Sequence, residues 1–206
     1  MSIGSIRLTR ADDGRRMTWE EYVQAESDEE LAYELSRGVL AVIEVPQVRH
    51  NIRASLARRQ FDTFWAKNPK RIQLVAAGSE CRIPIESLNS DRHPDLAIYL
   101  DVPPAEVPAD EFWSTWIPAI VVEIVSPSSI IRDYHEKPDE YFQFGVSEYW
   151  IVDAEKNEML VYRRVAGRWR TTTVRPGELY RPAALSGFVF DLSGVFEWTD
   201  TRQESE

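Results

Sequence analysis

PDLAIYL (94–100) and AIVVEIVS (119–126) are two apolar runs, each carrying one carboxylate: Asp95 near the start of the first and Glu123 inside the second. Short apolar runs rich in β-branched residues and bounded by turn residues read as buried strands. Burying an ionised carboxylate is costly unless a cation or dense hydrogen bonding compensates. If the two strands pair side by side, their acids can share one hard cation such as Mg²⁺, which takes oxygen ligands and keeps several waters. A cation there would polarise a phosphoryl oxygen and lower the pKa of a bound water. Lys137, fourteen residues beyond Glu123, would then orient the nucleophile or stabilise charge developing on the phosphate. Plainer readings exist: Asp95 as a turn residue after Pro94, Lys137 as a surface lysine. Glu123 resists one, because Val121, Val122, Ile124 and Val125 all point to burial.

Upstream of these strands, residues 17–25 read as a short helix in which Thr18 and Glu21 match a capping box. Residues 32–44 read as two strand-like halves around Arg37-Gly38, a hairpin turn. Residues 50–67 form the clearest helix, with Ile52, Leu56, Phe61, Phe64 and Trp65 largely on one face, ended by Asn68-Pro69. Strands are expected at 72–77 and 81–85, followed by a polar loop over 89–92. After the second acidic strand, Ser126–Ser129 lead into a helical segment that stops at Gly145. Pro138 fits only a first helical turn, so that helix is expected to start near Lys137, with Asp133 in a preceding turn. A cation at a helix N-terminus needs an anion nearby. Strands at 148–153, 159–164 and 168–174 complete a mixed α/β chain with a central sheet. Tyr149 and Trp150 fall on opposite faces of their strand, which favours core or interface packing over base stacking.

The 206 residues, 43% of them hydrophobic, suffice for one domain. It is placed at 17–198, with an extension over 1–16 and a tail over 199–206. Cys81 is the only cysteine, so no internal disulfide can form and a reducing compartment fits. No signal-like or membrane-length apolar run occurs. A soluble, cytoplasmic protein without a membrane partner is therefore expected. The net charge of −10 speaks against a generally basic nucleic-acid binder. Its distribution is uneven: residues 49–71 hold seven Arg or Lys against one acid, and residues 161–175 hold five Arg and no acid. Either patch could touch phosphate, or simply be a solvated face.

PDLAIYL, VVEIVSPSS, the Asp133, Lys137, Tyr141 spacing and GVSEYWIVD, preceded by TWEEYVQ and YELSRGVLAVIE, together resemble the Uma-type restriction-endonuclease family. The resemblance runs from about residue 17 to 196. It implies the PD-(D/E)XK nuclease fold, that is, an α+β type α/β architecture with a restriction-endonuclease-like mixed central sheet flanked by helices and a C-terminal strand hairpin. It implies a divalent-metal-dependent endonuclease acting on DNA more readily than RNA, with Mg²⁺ or Mn²⁺ as cofactor. By position it assigns Asp95 and Glu123 as metal ligands and the Ile124 carbonyl as a further one. Lys137 becomes the assisting lysine, Glu34 an additional acid, and His50 a group near phosphate or in proton transfer. In the wider superfamily the lysine follows the second acid by two residues; here Val125 stands there, and Lys137 on the following helix takes its place.

Each assignment has a bland competitor. Glu34 could pair with Arg37 across the hairpin, His50 could cap its helix, and Asp133 and Lys137 could form a surface ion pair at i, i+4. The alternative for the whole chain is a catalytically inactive nuclease-fold binding or assembly module, which the overall acidity favours. A homodimer is expected, because duplex cleavage calls for two active sites.

Overall fold

The computed structural model describes residues 6–26, 31–43, 47–109 and 111–197. After a 3-10 turn at Arg10–Asp12 come α1 (Trp19–Gln24), the hairpin β1 (Ala32–Ser36) and β2 (Val39–Ile43), and the long α2 (Val48–Lys67). Five short elements follow: β3 (Leu74–Ala76), β4 (Ile83–Ile85), β5 (Ser90–Arg92), β6 (Leu96–Tyr99) and α3 (Phe112–Thr115). Then come β7 (Ile120–Ile124), α4 (Lys137–Phe144), β8 (Glu148–Asp153), β9 (Glu158–Val165) and β10 (Arg168–Val174). The pair β11 (Leu179–Tyr180) and β12 (Phe190–Asp191), with the single turn α5 (Ser193–Phe196), closes the described chain. Glu44 and residues 198–206, which the sequence reading assigned to the hairpin end, the domain end and the tail, lie outside the described residues.

Six strands in the order β10-β9-β8-β7-β6-β3 make the central sheet. Only β7 and β8 run parallel; every other neighbouring pair is antiparallel. This is the mixed sheet the sequence led one to expect, and β7 at its centre is buried along its whole length. Period-2 alternation sends Ile120, Val122 and Ile124 to the face covered by α2 and the C-terminal segment, where they join Phe61, Trp150 and Phe190. Fully burying Phe61 alone contributes roughly 1.5–3 kcal/mol. Val121 faces the other way, with Tyr141, Tyr149 and Ile151. Trp150 and Tyr149 therefore do lie on opposite faces, and both are core residues.

The four-stranded sheet β2-β1-β5-β4 packs α1 and Leu8 against Tyr33, Leu35 and Leu40. Thr18 caps α1 as its spacing predicted: its hydroxyl accepts from Glu21 N–H at 3.2 Å, and its own N–H donates to the Glu21 carboxylate at 2.9 Å. The β1–β2 turn places Arg37 at φ 48° and Gly38 at φ 79°, the two left-handed residues that a two-residue hairpin matching strand twist requires. A side chain at Gly38 would meet Asn89 Nδ2 at 2.6 Å and the Met17 carbonyl at 3.2 Å, so this close approach also favours glycine.

Two expectations are corrected. Residues 89–92 are not a polar loop: Ser90, Asp91 and Arg92 form β5 and are buried. Their polarity hid the strand, because its compensating partners come from β1, from residues 136–140 and, for Asp91, from Arg82. The second correction concerns the start of α4. Its bounds agree with the expectation, and Asp133 does lie in a preceding turn, but that turn is π-helical, Arg132–Glu136, and continuous with α4, so Lys137 is no free helix terminus. Pro138, which has no N–H to give, is accommodated just after that widened turn. Gly145, at φ 108°, ends the helix with its own N–H and that of Val146 both donating to Tyr141 O.

Candidate active site

Antiparallel pairing of β6 with β7 aligns Leu96 with Val122. Asp95 and Glu123, one step further along each strand, thus meet at the same end of the sheet. The Asp95 N–H points at Glu123 Oε2 at 3.4 Å, and Asp95 Oδ2 accepts from Ile124 N–H at 2.7 Å. Three elements bring in the remaining candidates. Helix α2 supplies His50, whose Nε2 lies 3.1 Å from Asp95 Oδ2. Strand β1 supplies Glu34, and α4 supplies Lys137, with Nζ 2.9 Å from Glu123 Oε1. All five, together with Ile124, line one cavity of about 230 Å³. A larger surface depression of about 540 Å³, beside α1, brings no lysine, arginine or histidine to its acids.

The bland readings of these residues fare differently. Glu34 does not pair with Arg37; it accepts from buried Arg92 at 3.1 Å and from His93 N–H at 3.0 Å. Both its oxygens are thereby engaged. Asp133 and Lys137 do form the i, i+4 ion pair, at 2.8 Å, but it is buried rather than on the surface. His50 sits in the first turn of α2 and reaches across to Asp95.

Electrostatics follow from burial and from an excess of acids. Burial pushes the Glu123 carboxyl well above the ordinary range; Lys137 opposes this, while Asp95, Asp133 and Glu34 add to it. Burial would drive the Lys137 proton off, but Asp133, Glu123 and Glu34 outweigh it and hold the ammonium charged. Glu34 is held below its usual value because Lys137 and Arg92 overcome its desolvation. Burial likewise opposes charging His50, yet the hydrogen bond and charge of Asp95 leave its pKa raised. Tyr141, kept protonated chiefly by burial and then by Glu123, donates to Glu123 Oε1 at 2.7 Å.

Sequence reasoning missed three residues here. Arg92 ties Glu34 to Glu136 and Glu140, and nothing in its apparent loop announced that. Asp133 sits beside Lys137 and accepts from Ser129 Oγ at 2.5 Å; its i, i+4 spacing was the available signal. Arg132 lines the cavity as well.

A sequence model described as "Putative restriction endonuclease", that of Uma2, matches residues 19–193. The chain belongs to the Uma2 family. Solved structures also match this Uma2-family chain, among them a protein from Anabaena variabilis described as a putative nuclease belonging to DUF820. That match has a TM-score of 0.71 at 19% identity, over 88% of this chain and 98% of the other, and it shows a shared fold. No curated protein matches. No helix among the described residues is long and apolar enough to cross a membrane.

The family's expected metal can be weighed against the side chains of this Uma2 site. Among the described residues, no three His, Cys, Asp or Glu side chains form a metal cage. Mg²⁺ does not need one, since it is usually held by one or two carboxylates and keeps several waters. Asp95 Oδ1 carries no hydrogen bond among the described residues, and Glu123 Oε2 only the long one from Asp95 N–H. Hard oxygen donors short of positive charge fit such an ion.

Proposed function

We propose that this chain is a divalent-metal-dependent endonuclease that hydrolyses phosphodiester bonds of DNA. The observation that carries the reading is the convergence of Asp95, Glu123 and Lys137 in one cavity at the end of β6 and β7. Asp95, Glu123 and the backbone carbonyl of Ile124 would hold Mg²⁺ or Mn²⁺. When bound, such an ion supplies Lewis-acid polarisation of the phosphoryl oxygen and a more acidic water. Lys137 stays protonated, so it acts through charge: it orients the attacking water and stabilises the negative charge that grows on the phosphoryl oxygens. His50, hydrogen-bonded to Asp95 at 3.1 Å, would contact the phosphate or pass a proton to the departing oxygen. Glu34 adds to Asp133 and Glu123 in keeping Lys137 charged, and holds Arg92 and the His93 backbone in place.

Calorimetry with Mg²⁺ and Mn²⁺ tests the metal assignment, comparing wild type with Asp95→Asn/Glu123→Gln, which is expected to lose the affinity. A cleavage screen over duplex DNA, single-stranded DNA and RNA then tests the activity. Lys137→Ala is expected to lower the rate roughly 10²–10³-fold, the scale of losing one preorganised charge-stabilising donor. A wild type that binds neither metal sinks the assignment. Metal binding with equal background cleavage by wild type and Lys137→Ala would favour the binding-module reading, which the net charge of −10 supports.

A further inference from the structure

We propose that Arg132 grips a backbone phosphate of the nucleic acid at this site, a role that rests on the nuclease reading. Four carboxylates line the cavity, those of Glu34, Asp95, Glu123 and Asp133. Lys137 is the one cation paired with any of them from α4, to Asp133 and Glu123 at 2.8 and 2.9 Å, so an approaching phosphodiester still meets an excess of negative charge. Arg132 lines the same cavity, yet it makes no ion pair among the described residues. Its Nε is buried and has no hydrogen-bond partner. An arginine that shares a cavity with four carboxylates and is bound to none of them is available to another acceptor. Arg92 shows the contrast, since it is packed against Glu34, Glu136 and Glu140.

Backbone geometry supports the same role. The Lys137 N–H donates to Arg132 O across the π-helical turn. An i to i+5 bond stacks those two residues roughly one above the other, whereas a regular helix would splay them apart. The turn thereby ties the backbone of Arg132 to that of Lys137, on the segment that lines the cavity. Ile130 and Ile131, just before it, are 45% and 70% exposed. This turn therefore stands at the surface, where an extended polymer can reach it. The planar fork of a guanidinium matches two phosphate oxygens at once, which an ammonium cannot do.

Fluorescence anisotropy of a labelled duplex in Ca²⁺ tests the proposal, using the full chain as wild type, Arg132→Gln and Arg132→Lys. Arg132→Gln is expected to weaken binding about tenfold or more, and to lower the slope of log K against log salt by about one. Arg132→Lys should keep the slope and recover only part of the affinity. In Mg²⁺, the loss should appear mainly in KM, with Mg²⁺ affinity undiminished by calorimetry. Equal affinity and salt slope for wild type and Arg132→Gln overturn the proposal. If wild type cleaves while Arg132→Gln matches it in KM and kcat, only the role of Arg132 falls. If wild type binds no duplex, single strand or RNA at low salt, the nuclease reading falls and this role with it. Should Arg132→Gln not fold, Arg132→Lys carries the test, and wild-type affinity in that variant overturns it.

Discussion

Arg92 and Lys137 are both buried cations, and both reach carboxylates through residues 133–140, yet their surroundings differ in kind. Around Arg92 every group is matched. Its Nε meets Glu140 at 2.7 Å, Nη1 meets Glu34 at 3.1 Å, and Nη2 meets Ser36 at 2.7 Å and Glu136 at 3.2 Å. Ser90 Oγ and the His93 N–H take up further carboxylate oxygens at 3.1 and 3.0 Å. Around Lys137 the account is left open. Among the described residues, two buried nitrogens of cavity residues, His50 Nδ1 and Arg132 Nε, lack a hydrogen bond. Unsatisfied buried groups are costly. A fold that concentrates them in one cavity keeps that place ready for a ligand, while the neighbouring network fixes the walls.

The sharpest way to break this comparison is to remove the cation from the closed side. Arg92→Met would strip buried Glu34 and Glu140 of the cation they are hydrogen-bonded to, and breaking a buried pair this way costs about 3–5 kcal/mol. Chemical unfolding in urea should show that loss as a lower midpoint with little change in slope. A loss under 1 kcal/mol would mean that the network is not a structural clamp, and the distinction between the two clusters would fail.

Removing an acid from the open side should do the reverse. Glu123→Gln is expected to leave stability unchanged or to raise it by about 1 kcal/mol in metal-free buffer near pH 8, because the site holds more acid than cation. The sign follows from linkage. Glu123 has a folded pKa above its ordinary 4.5, so its stabilising contribution is complete below that value and drains away as pH rises through the folded pKa. Gln cannot titrate, and its advantage over wild type must therefore widen with pH. Unfolding midpoints in EDTA from pH 5 to pH 8.5 check this; an advantage that instead grows toward acid would contradict the assigned shift.

The open side was also the more legible one in the sequence. Asp95 and Glu123 announced themselves because each interrupts or opens an apolar strand, and the β6–β7 register then had to bring them together. The resemblance supplied Glu34 and His50 and added weight to Lys137, none of which spacing alone could distinguish from surface residues. The Arg37-Gly38 hairpin, the capped α1 and the two strand faces around Tyr149 and Trp150 followed from local chemistry and periodicity. Strand β5 did not, since a polar triplet looks like a loop until its partners are known, and Glu34 lies 58 residues from Arg92. The π-helical turn was hidden for another reason: it is a backbone geometry with no side-chain pattern of its own, and Pro138 hinted only that something irregular preceded it.

The smallest effect is expected at the rim of the closed network, and it separates burial from mere proximity. Asp139 and Glu140 are adjacent on α4, but the Asp139 side chain is 52% exposed and pairs with half-exposed Arg37 at 2.8 Å, whereas Glu140 is fully buried. Water already solvates the Asp139 carboxylate, so losing its charge surrenders little. Asp139→Asn should cost less than about 1 kcal/mol, the ordinary scale of an exposed ion pair, and less still in high salt. Thermal unfolding at two ionic strengths measures both. A cost as large as that of Arg92→Met would show that the network extends to the surface, because only a desolvated pair leaves a partner stranded when it breaks.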